Sequence, residues 1–478
     1  MNNNNQNKAG SKIKKILGLF VISLSGLMIA TSANAARQDQ PNVLFIAIDD
    51  LRPELGAYGA SHIKTPNIDA LAQEGLMFKR AYAQVPTCGA SRASMMTGML
   101  PSQKRFITYT TRADVDVPNA RTLPQVFKEA GYTTVSIGKV FHILEDSQDR
   151  SWSKAAWRPE VDHFKSFDPA TSNKSSGSKH GRVYEAPGVS DDSYADGQIA
   201  QKAIDELSLL KEKAEPFFLA VGFYRPHMPF YAPKKYWDLY DRDTIELADN
   251  QFRPEGAPAS LKGSNEYKQY SHGTYKIGTP DWQRMMRHGY YASVSYVDKL
   301  VGDVLTELDR HGLSDNTIIV LWGDHGFHLG EHSFWGKHNT LDKSLRVPLI
   351  IRVPGGVKGE KTTALVESVD IYPTLADLAG LSTPSTVQGE SFKKLFSNPQ
   401  LKFRDFTYSR FRNADTVISK THTYTFYKYK DGEEMLYDLE RDSEENINVA
   451  QDPAYADTLK AMKTMLKKRL KAAVNVEQ

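Results

Sequence analysis

The segment Asn42-Val-Leu-Phe-Ile-Ala-Ile-Asp49 places six consecutive apolar residues between two polar ones. An apolar run of this length, without alternation, predicts a strand that is buried on both faces. Four further runs of similar character lie at residues 133–137, 217–223, 317–322 and 348–353. Helical patterns separate these runs, so we predict an α/β fold in which a mostly parallel sheet is sandwiched by helices.

The remaining periodicity predicts how the chain is divided. The longest predicted helix covers residues 282–310, where apolar residues recur every three or four positions, as expected for one core-facing stripe. After about Pro384 the pattern changes to short strands and a final helix capped by Asp452. We therefore predict a main α/β domain over residues 36–384. A small α+β subdomain, with an antiparallel sheet and a terminal helix, is expected over residues 385–478.

The N-terminal segment has the order of a secretory signal peptide. Four lysines precede an apolar run over residues 16–30, and Ala33-Asn34-Ala35 follows as a cleavage site. The alternative, a membrane anchor, is disfavoured because a spanning helix needs about 20 apolar residues. We predict a signal peptide over residues 1–35 that is cleaved after Ala35. A periplasmic or secreted protein without a membrane attachment is then expected.

Charge argues against one broad class of function. The whole chain has a formal charge of +3, and removal of the first 35 residues, with four lysines and no acidic residue, leaves −1. A nucleic-acid-binding protein is expected to keep a basic excess. A nucleic-acid partner is therefore not expected.

Polar and charged residues follow four of the predicted strands. They are Asp49-Asp50 after the first, Lys139 and His142 after the second, Arg225 and His227 after the third, and Asp324-His325 after the fourth. Parallel sheets bind ligands beyond the carboxyl ends of their strands, so these groups are expected to meet in one site.

Three of these side chains are carboxylates. Taken alone, Asp49-Asp50 also suits a helix cap at the end of a strand. Together with Asp324 at another strand end, the three hard oxygen donors favour a site for Ca²⁺ or Mg²⁺.

Cys88 is the single cysteine, so an intramolecular disulfide is impossible. A lone cysteine is either a small buried apolar residue or a reactive group. Cys88 stands at a predicted helix start with Arg92 one turn later. A helix N-terminus and an arginine both favour negative charge, which supports the second interpretation.

The stretch Cys88-Gly-Ala-Ser-Arg-Ala-Ser-Met-Met-Thr-Gly98 resembles the sulfatase signature, with Ala90 in place of the commoner proline. The segments 136–142, 217–227 and 291–296, together with the motifs between residues 324 and 337, resemble iduronate-2-sulfatases in particular. The likeness extends from about residue 41 to residue 448. It implies a type I, formylglycine-dependent sulfatase of the alkaline phosphatase superfamily.

By that resemblance, a formylglycine-generating or anaerobic maturation enzyme converts Cys88 to formylglycine (3-oxoalanine). One hydroxyl of the hydrated aldehyde attacks sulfur, and deprotonation of the other then expels sulfate. The resemblance also implies one Ca²⁺ ion held by Asp49, Asp50, Asp324 and the modified Cys88. His325 stands where many sulfatases have asparagine. Imidazole is an unusual calcium ligand, so its direct coordination stays open.

The resemblance assigns roles to the cationic residues as well. Arg92 and Lys139 are expected to orient and stabilise the diol oxygens, and His142 to remove the proton of the second hydroxyl. Lys337 and His227 are expected to hold the sulfate. His227 is also expected to donate a proton to the leaving sugar oxygen.

Three classes of function remain to be compared. A sulfatase is favoured by the acid cluster and by Cys88 with Arg92. A phosphate or phosphonate monoester hydrolase of the same superfamily is the first alternative. A non-catalytic relative that binds sulfated glycans is the second, and the intact chemical positions disfavour it.

A sulfated oligo- or polysaccharide is the expected substrate, and the resemblance suggests removal of a 2-O-sulfate at a chain end. The long polar loops over residues 147–190 and 241–278 are expected to select it. The first loop carries side chains that could line a pocket for an acidic sugar: Trp152, Trp157, Arg158, Lys174 and Lys179. Three histidines near the site, His328, His332 and His338, fit no standard zinc spacing and are interpreted as pocket wall or as residues directly behind that wall.

Overall fold

The computed structural model describes residues 40–167, 180–428 and 432–474. The strands are β1 (Asn42–Ile48), β2 (Leu76–Phe78), β3 (Ala81–Tyr82), β4 (Thr133–Gly138), β5 (Tyr184–Glu185), β6 (Phe217–Phe223), β7 (Phe230–Tyr231), β8 (Thr317–Gly323), β9 (His328–Leu329), β10 (Trp335–Gly336), β11 (Arg346–Val347), β12 (Leu349–Arg352), β13 (Glu360–Thr362), β14 (Val366–Glu367), β15 (Phe406–Phe411), β16 (Ala414–Ser419), β17 (His422–Tyr427) and β18 (Glu434–Asp438). The α-helices are α1 (Pro66–Glu74), α2 (Cys88–Thr97), α3 (Ala113–Asp116), α4 (Leu123–Glu129), α5 (Gln148–Ser151), α6 (Ala195–Lys211), α7 (Lys234–Trp237), α8 (Pro280–Arg310), α9 (Asp342–Leu345), α10 (Ile371–Leu378) and α11 (Ala456–Val474).

A seven-stranded sheet forms the centre of the protein, in the order β13-β2-β12-β8-β1-β6-β4. The strands β8, β1, β6 and β4 are parallel to one another, with Val43 of β1 opposite Ile318 of β8 and Phe218 of β6. All five predicted strands are present in this sheet. The last of them, β12, runs antiparallel to β8 and β2, so the sheet is mostly but not wholly parallel.

Helices cover both faces of this sheet, as predicted. Leu44, Ile46 and Ile48 of β1 point to the face covered by α1, α6 and α8. Val43 and Phe45 point to the opposite face, which α2, α4 and α10 cover. Because each side chain of β1 is buried, an apolar residue is favoured at every position. Burial of one such aliphatic side chain contributes about 1.5–3 kcal/mol.

A four-stranded antiparallel sheet follows in the order β15-β16-β17-β18, and helix α11 packs on it. This confirms the predicted small sheet and terminal helix. The predicted start of that helix is wrong by one turn. Asp452 accepts a hydrogen bond from the amide of Ala454 and caps a 3₁₀ turn at Pro453–Tyr455, after which α11 begins. The division at residue 384 stays a prediction.

Two sequence predictions concern residues outside the described ranges. They are the signal peptide with its cleavage site after Ala35, and the contribution of Lys174 and Lys179 to a pocket. Among the described residues, no helix combines the length and the apolar character that crossing a membrane requires.

Candidate active site

The four parallel strands that end in reactive residues are direct neighbours in the sheet. Since β8, β1, β6 and β4 are adjacent and parallel, their carboxyl ends lie along one edge. The structure therefore brings together Asp49, Asp324, Lys139 and His227, which are far apart in sequence. Arg225, which also follows β6, is buried and donates to the carbonyls of Tyr231, His227 and His163, so it braces the backbone beside the site.

Close backbone contacts build this edge. A Cβ atom at Gly222 of β6 would lie 2.1 Å from the carbonyl oxygen of Lys139, so only glycine permits the approach. The amide of Lys139 donates to the carbonyl of Gly222 at 2.8 Å. Asp50 has a φ of 61°, a left-handed conformation that aspartate adopts more readily than most residues. Its amide donates to Asp324 Oδ1 at 3.1 Å, which ties the ends of β1 and β8 together.

Arg92 connects two of the buried carboxylates. Its Nε lies 2.9 Å from Asp324 Oδ2, and one terminal nitrogen lies 3.1 Å from Asp49 Oδ1. The other terminal nitrogen donates to the carbonyls of Val140, at 3.0 Å, and of Lys139. The ammonium of Lys139 binds the second oxygen of Asp49. All the side-chain charges in this set are buried, so each depends on its partners.

These contacts set the protonation of the carboxylates. Burial alone would raise the pKa of Asp49, but Lys139 and Arg92 outweigh burial and hold it well below its usual value. Burial raises the pKa of Asp324, and the negative charge of Asp49 adds to that effect although His325 and Arg92 oppose it. Asp49 is thus compensated by its neighbouring cations, whereas burial and Asp49 disfavour the charged form of Asp324.

Cys88 is the first residue of helix α2, which is buried throughout. Its Sγ lies 3.3 Å from His325 Nε2. A Cβ atom at the next residue, Gly89, would lie 2.0 Å from the carbonyl oxygen of Tyr109, so the following loop packs directly on the start of the helix. Burial and the charge of Asp49 raise the pKa of the Cys88 thiol well above its usual value.

The donor set fits a divalent cation. Donor atoms of Asp49, Cys88, Asp324 and His325 lie within 4.8 Å of one another. In a neutral ring, His325 Nδ1 carries the proton because it lies 3.0 Å from the carbonyl oxygen of Gly326. The Nε2 lone pair then faces Asp50 Oδ1 at 3.4 Å and Asp324 Oδ1 at 3.7 Å. The lone pair of Nε2 and the two carboxylate oxygens repel one another, and a cation bound between them would remove that repulsion by accepting all three as ligands.

His142 and His227 differ in their electrostatic surroundings. Burial and the positive charge of Lys139 lower the pKa of His142 to about 2, so its ring is neutral. Its Nδ1 has no hydrogen-bond partner among the described residues. Burial and Lys337 lower the pKa of His227, but Asp50, Glu266 and Asp49 outweigh them, and the net shift is upward. His142 is therefore a neutral ring, whereas His227 is shifted toward its protonated form, which can donate a proton.

Glu266 is a site residue that the sequence patterns do not predict. It lies in the polar loop over residues 241–278, in a 3₁₀ turn at Glu266–Gln269. Its two carboxylate oxygens lie 3.1 Å from His227 Nε2 and 3.1 Å from Lys337 Nζ. Lys337 Nζ also lies 2.7 and 2.8 Å from the two oxygens of Asp50. The sequence holds no periodic or motif signal at Glu266, so only the fold identifies it.

The reactive groups lie in a cavity of about 900 Å³. Its lining includes Cys88, Lys139, His142, His227 and Lys337, so five of the predicted site residues face one space. Asp49 and Asp324 lie behind this surface, fully buried.

The cavity lining corrects the prediction for the polar loops. Arg158 lines the cavity as expected, but Trp152 is buried in the core against Phe141, so its predicted contact with a sugar is wrong. Trp157 packs against the core and is absent from the lining. Tyr109, which is 61% exposed, supplies an aromatic surface instead.

The three histidines of the segment after β8 separate into two groups. His338 lines the cavity, as predicted, and its ring stacks on Phe411 with centroids 5.5 Å apart. His328 and His332 are buried outside the lining, with ring centroids 6.2 Å apart. They therefore lie behind the pocket wall and do not form it.

A mostly parallel sheet covered by helices, with buried carboxylates, cations and a cysteine beside an open cavity, is the arrangement expected of a hydrolase that acts on anionic esters. The chain belongs to the sulfatase family, since the family model described as Sulfatase matches residues 41–381. A second model, N-sulphoglucosamine sulphohydrolase, C-terminal, matches residues 330–472. The prediction of a type I sulfatase, a sulfuric ester hydrolase of the alkaline phosphatase superfamily, is confirmed.

Individual relatives agree with this assignment. The iduronate 2-sulfatase of Mus musculus is 37% identical over 418 residues, which cover 79% of this chain and 75% of that protein. Among solved structures, BT1596, a 2-O GAG sulfatase, has a TM-score of 0.72 and 25% identity over 91% of this chain and 93% of its own. The phosphonate monoester hydrolase of Agrobacterium radiobacter shares the fold, with a TM-score of 0.76, 24% identity and coverage of 91% and 96%.

Proposed function

We propose that this sulfatase is an exported, calcium-dependent enzyme that removes a 2-O-sulfate from the end of a sulfated saccharide, after Cys88 has been converted to formylglycine. The observation that carries the proposal is the convergence of Asp49, Asp50 and Asp324 with Cys88 below an open, cation-lined cavity. The 37% identity to iduronate 2-sulfatase supports the substrate class.

The environment of Cys88 indicates why the unmodified thiol would not serve as the nucleophile. The thiolate is the reactive form of cysteine, and burial with a raised pKa keeps this thiol protonated at neutral pH. Unmodified Cys88 is therefore a poor nucleophile. Formylglycine would supply, as its hydrate, one hydroxyl for attack on sulfur and a second whose deprotonation permits release of sulfate.

Asp49, Asp50 and Asp324 would hold the calcium ion together with the modified Cys88. Ca²⁺ prefers carboxylate oxygens, and when bound it would offset negative charge on the sulfate oxygens. His325 presents Nε2 to the same space, so it is a candidate further ligand.

The cations and histidines complete the assignment. Arg92 makes four hydrogen bonds, to Asp49, Asp324 and two carbonyls, so it would orient the diol mainly through these carboxylates. Lys139 faces the cavity and would stabilise the reacting oxygens. The neutral His142 would take up the proton of the second hydroxyl.

Lys337 and His227 would bind the sulfate, because Lys337 is a cation, the pKa of His227 is raised, and both line the cavity. His227 would also protonate the leaving sugar oxygen, for which its raised pKa is suited.

The rest of the cavity suits an anionic sugar. Cations beyond the reactive centre are Arg158, Lys262 and Arg412, whereas Glu266 is the acidic side chain of the lining. The exposed ring of Tyr109 offers a flat apolar face of the kind on which sugars stack. An acidic, sulfated saccharide from a glycosaminoglycan or an algal polymer would fit both features.

Two measurements test the proposal together. Mass spectrometry of the tryptic peptide over residues 81–92, from a host with the maturation enzyme, should show the aldehyde in place of the thiol. A panel of oligosaccharides with a single sulfate each should show selective release of a terminal 2-O-sulfate. The protein with Cys88→Ala should fold and release none. Equal rates at every sugar position, or faster cleavage of an aryl sulfate, would contradict the proposed substrate.

The panel also separates the alternatives. Faster cleavage of a phosphate or phosphonate monoester than of any sulfate ester would support the phosphohydrolase alternative. Binding of sulfated oligosaccharides without sulfate release by protein that carries formylglycine would support a glycan-binding role. The export proposal rests on the sequence of residues 1–35, and a secreted or periplasmic product that begins at Ala36 would support it.

A further inference from the structure

Glu266 bridges two cations at the reactive end of the cavity. Its Oε1 lies 3.1 Å from His227 Nε2, and its Oε2 lies 3.1 Å from Lys337 Nζ. The Glu266 side chain is 19% exposed, so water screens these ion pairs only partly. Burial would raise the pKa of Glu266, but Lys337 and His227 outweigh it and hold the pKa well below its usual value. Glu266 is therefore a carboxylate at neutral pH.

The two cations depend on Glu266 to different degrees. Lys337 is fixed independently, because its ammonium also contacts both oxygens of Asp50 at 2.7 and 2.8 Å. His227 has less support. Its Nδ1 lies 2.6 Å from the carbonyl oxygen of Met228, the next residue in the chain, and its Nε2 ion pair is with Glu266. Loss of the Glu266 carboxylate would thus leave the cavity-facing nitrogen of the ring without this partner.

The turn that carries Glu266 is itself held in place. Its amide donates to Ser264 Oγ at 3.2 Å. At the other end of the turn, the Tyr270 hydroxyl donates at 3.2 Å to the same Met228 carbonyl oxygen that lies beside His227 Nδ1. The loop therefore contacts the His227 segment at two points and can keep the imidazole in one orientation.

We propose that Glu266 is a positioning residue that holds the imidazole of His227 with its Nε2–H at the reactive end of the cavity. When substrate binds, the leaving-group oxygen takes the place of Glu266 Oε1 as the acceptor of that hydrogen bond, while Glu266 stays paired with Lys337. The inference rests on the proposed function, in which His227 is the proton donor. When the bond between sulfur and the sugar oxygen breaks, its electron pair stays on that oxygen, and the Nε2 proton forms the new O–H bond. Glu266 keeps its charge throughout and acts through the orientation of the ring.

The test compares substrates that need this proton with substrates that do not. A sugar alkoxide is a poor leaving group and requires protonation, whereas a nitrophenolate departs without it. With Glu266→Gln, kcat on a 2-O-sulfated saccharide should fall by about 10- to 100-fold, the range expected when a reacting group is misplaced. On nitrophenyl sulfate, kcat should change by less than about threefold, since that step does not depend on proton transfer.

A double-mutant cycle tests whether Glu266 acts through His227. The variant with both His227→Ala and Glu266→Gln should be no slower on the saccharide than His227→Ala alone. Glu266→Asp keeps the charge on a shorter side chain. Its kcat on the saccharide should lie between those of wild type and Glu266→Gln. Lys268→Gln is the matched control, because Lys268 is exposed on the same turn and does not line the cavity; its rates should match wild type.

Three results would overturn the positioning role in an active enzyme. The first is a wild-type kcat for Glu266→Gln on the saccharide. The second is an equal fall in kcat on the saccharide and on nitrophenyl sulfate. The third is a double variant in which the two single falls in kcat multiply. A matured wild-type protein that releases sulfate from neither substrate would instead overturn the proposed function and the inference with it. The Glu266 variants should also unfold at midpoints close to that of wild type, which would show that the kinetic changes do not come from lost stability.

Discussion

Replacement of Arg92 by methionine removes the cation that joins two buried carboxylates. The Arg92 side chain is fully buried and lies 2.9 Å from Asp324 Oδ2 and 3.1 Å from Asp49 Oδ1. Methionine has a similar length and packs well in apolar space, but it donates no hydrogen bond. The substitution therefore removes charge and hydrogen bonds while it largely fills the volume.

The expected loss follows from what remains around each carboxylate. Asp49 keeps its contact with Lys139, so part of its charge stays compensated. Asp324 keeps the amide of Asp50, a neutral donor. Removal of one partner of a buried ion pair costs about 3–5 kcal/mol, because the other charge stays buried without compensation. We expect a loss at the lower end, about 3 kcal/mol, because Asp49 retains a cation.

Urea unfolding of the calcium-free protein is the assay. The Arg92→Met protein should unfold at a lower urea midpoint with an unchanged slope, which indicates lost stability and not a changed denatured state. Calcium should narrow the difference, since a divalent cation would replace part of the missing positive charge. Arg441→Met, in a side chain that is 81% exposed, is the control and should stay within about 0.5 kcal/mol of wild type. A loss below about 1 kcal/mol for Arg92→Met would refute the view that buried charge pairing stabilises this site.

Three further predictions concern the nucleophile, the metal and pH. Cys88→Ser should release no sulfate in a host whose maturation system accepts only cysteine, and wild-type rates would exclude the formylglycine mechanism. Asp49→Asn or Asp324→Asn should reduce activity, and chelation should reduce it reversibly, with calcium restoring it more fully than zinc; full activity of demetallated protein would exclude the ion. Burial and Asp342 raise the pKa of Glu445 to about 8, so the folded protein keeps a proton that the unfolded chain releases above its own pKa near 4.3. Stability should therefore fall as pH rises toward 8. Between pH 6 and pH 9, which are chosen to bracket that value, the urea midpoint of wild type should drop more than that of Glu445→Gln. Parallel pH profiles of the two proteins would contradict a raised pKa of Glu445.

Much of the site could be predicted because it is built from regular structure. Each of the four parallel strands is buried on both faces, so its apolar run has a clear start and end in the sequence. The first polar residue after such a run must lie at the sheet edge. Asp49, Lys139 and Asp324 could therefore be placed together before their contacts were known. Cys88 was identifiable for a different reason, since a signature of fixed spacing surrounds it.

The remaining features depend on tertiary contacts that no local pattern encodes. Trp152 and Trp157 occur in a polar loop, where aromatic residues suggest a binding surface, yet Trp152 packs beside Phe141 in the core. Composition cannot distinguish an aromatic side chain that anchors a loop from one that faces a ligand, because both are apolar in a polar context.

Glu266 illustrates the same problem for charge. It is one of several acidic residues between 241 and 278, and nothing in its neighbours marks it as different. Its significance comes from the path of the loop, which returns over the ends of β6 and β10 so that a single carboxylate meets His227 and Lys337. The elements that carry the catalytic groups are thus readable from sequence, whereas the loop contacts that hold those groups in place require the fold. Because the tests of Glu266 compare two leaving groups in one protein, they can separate this positioning effect from a general loss of the site.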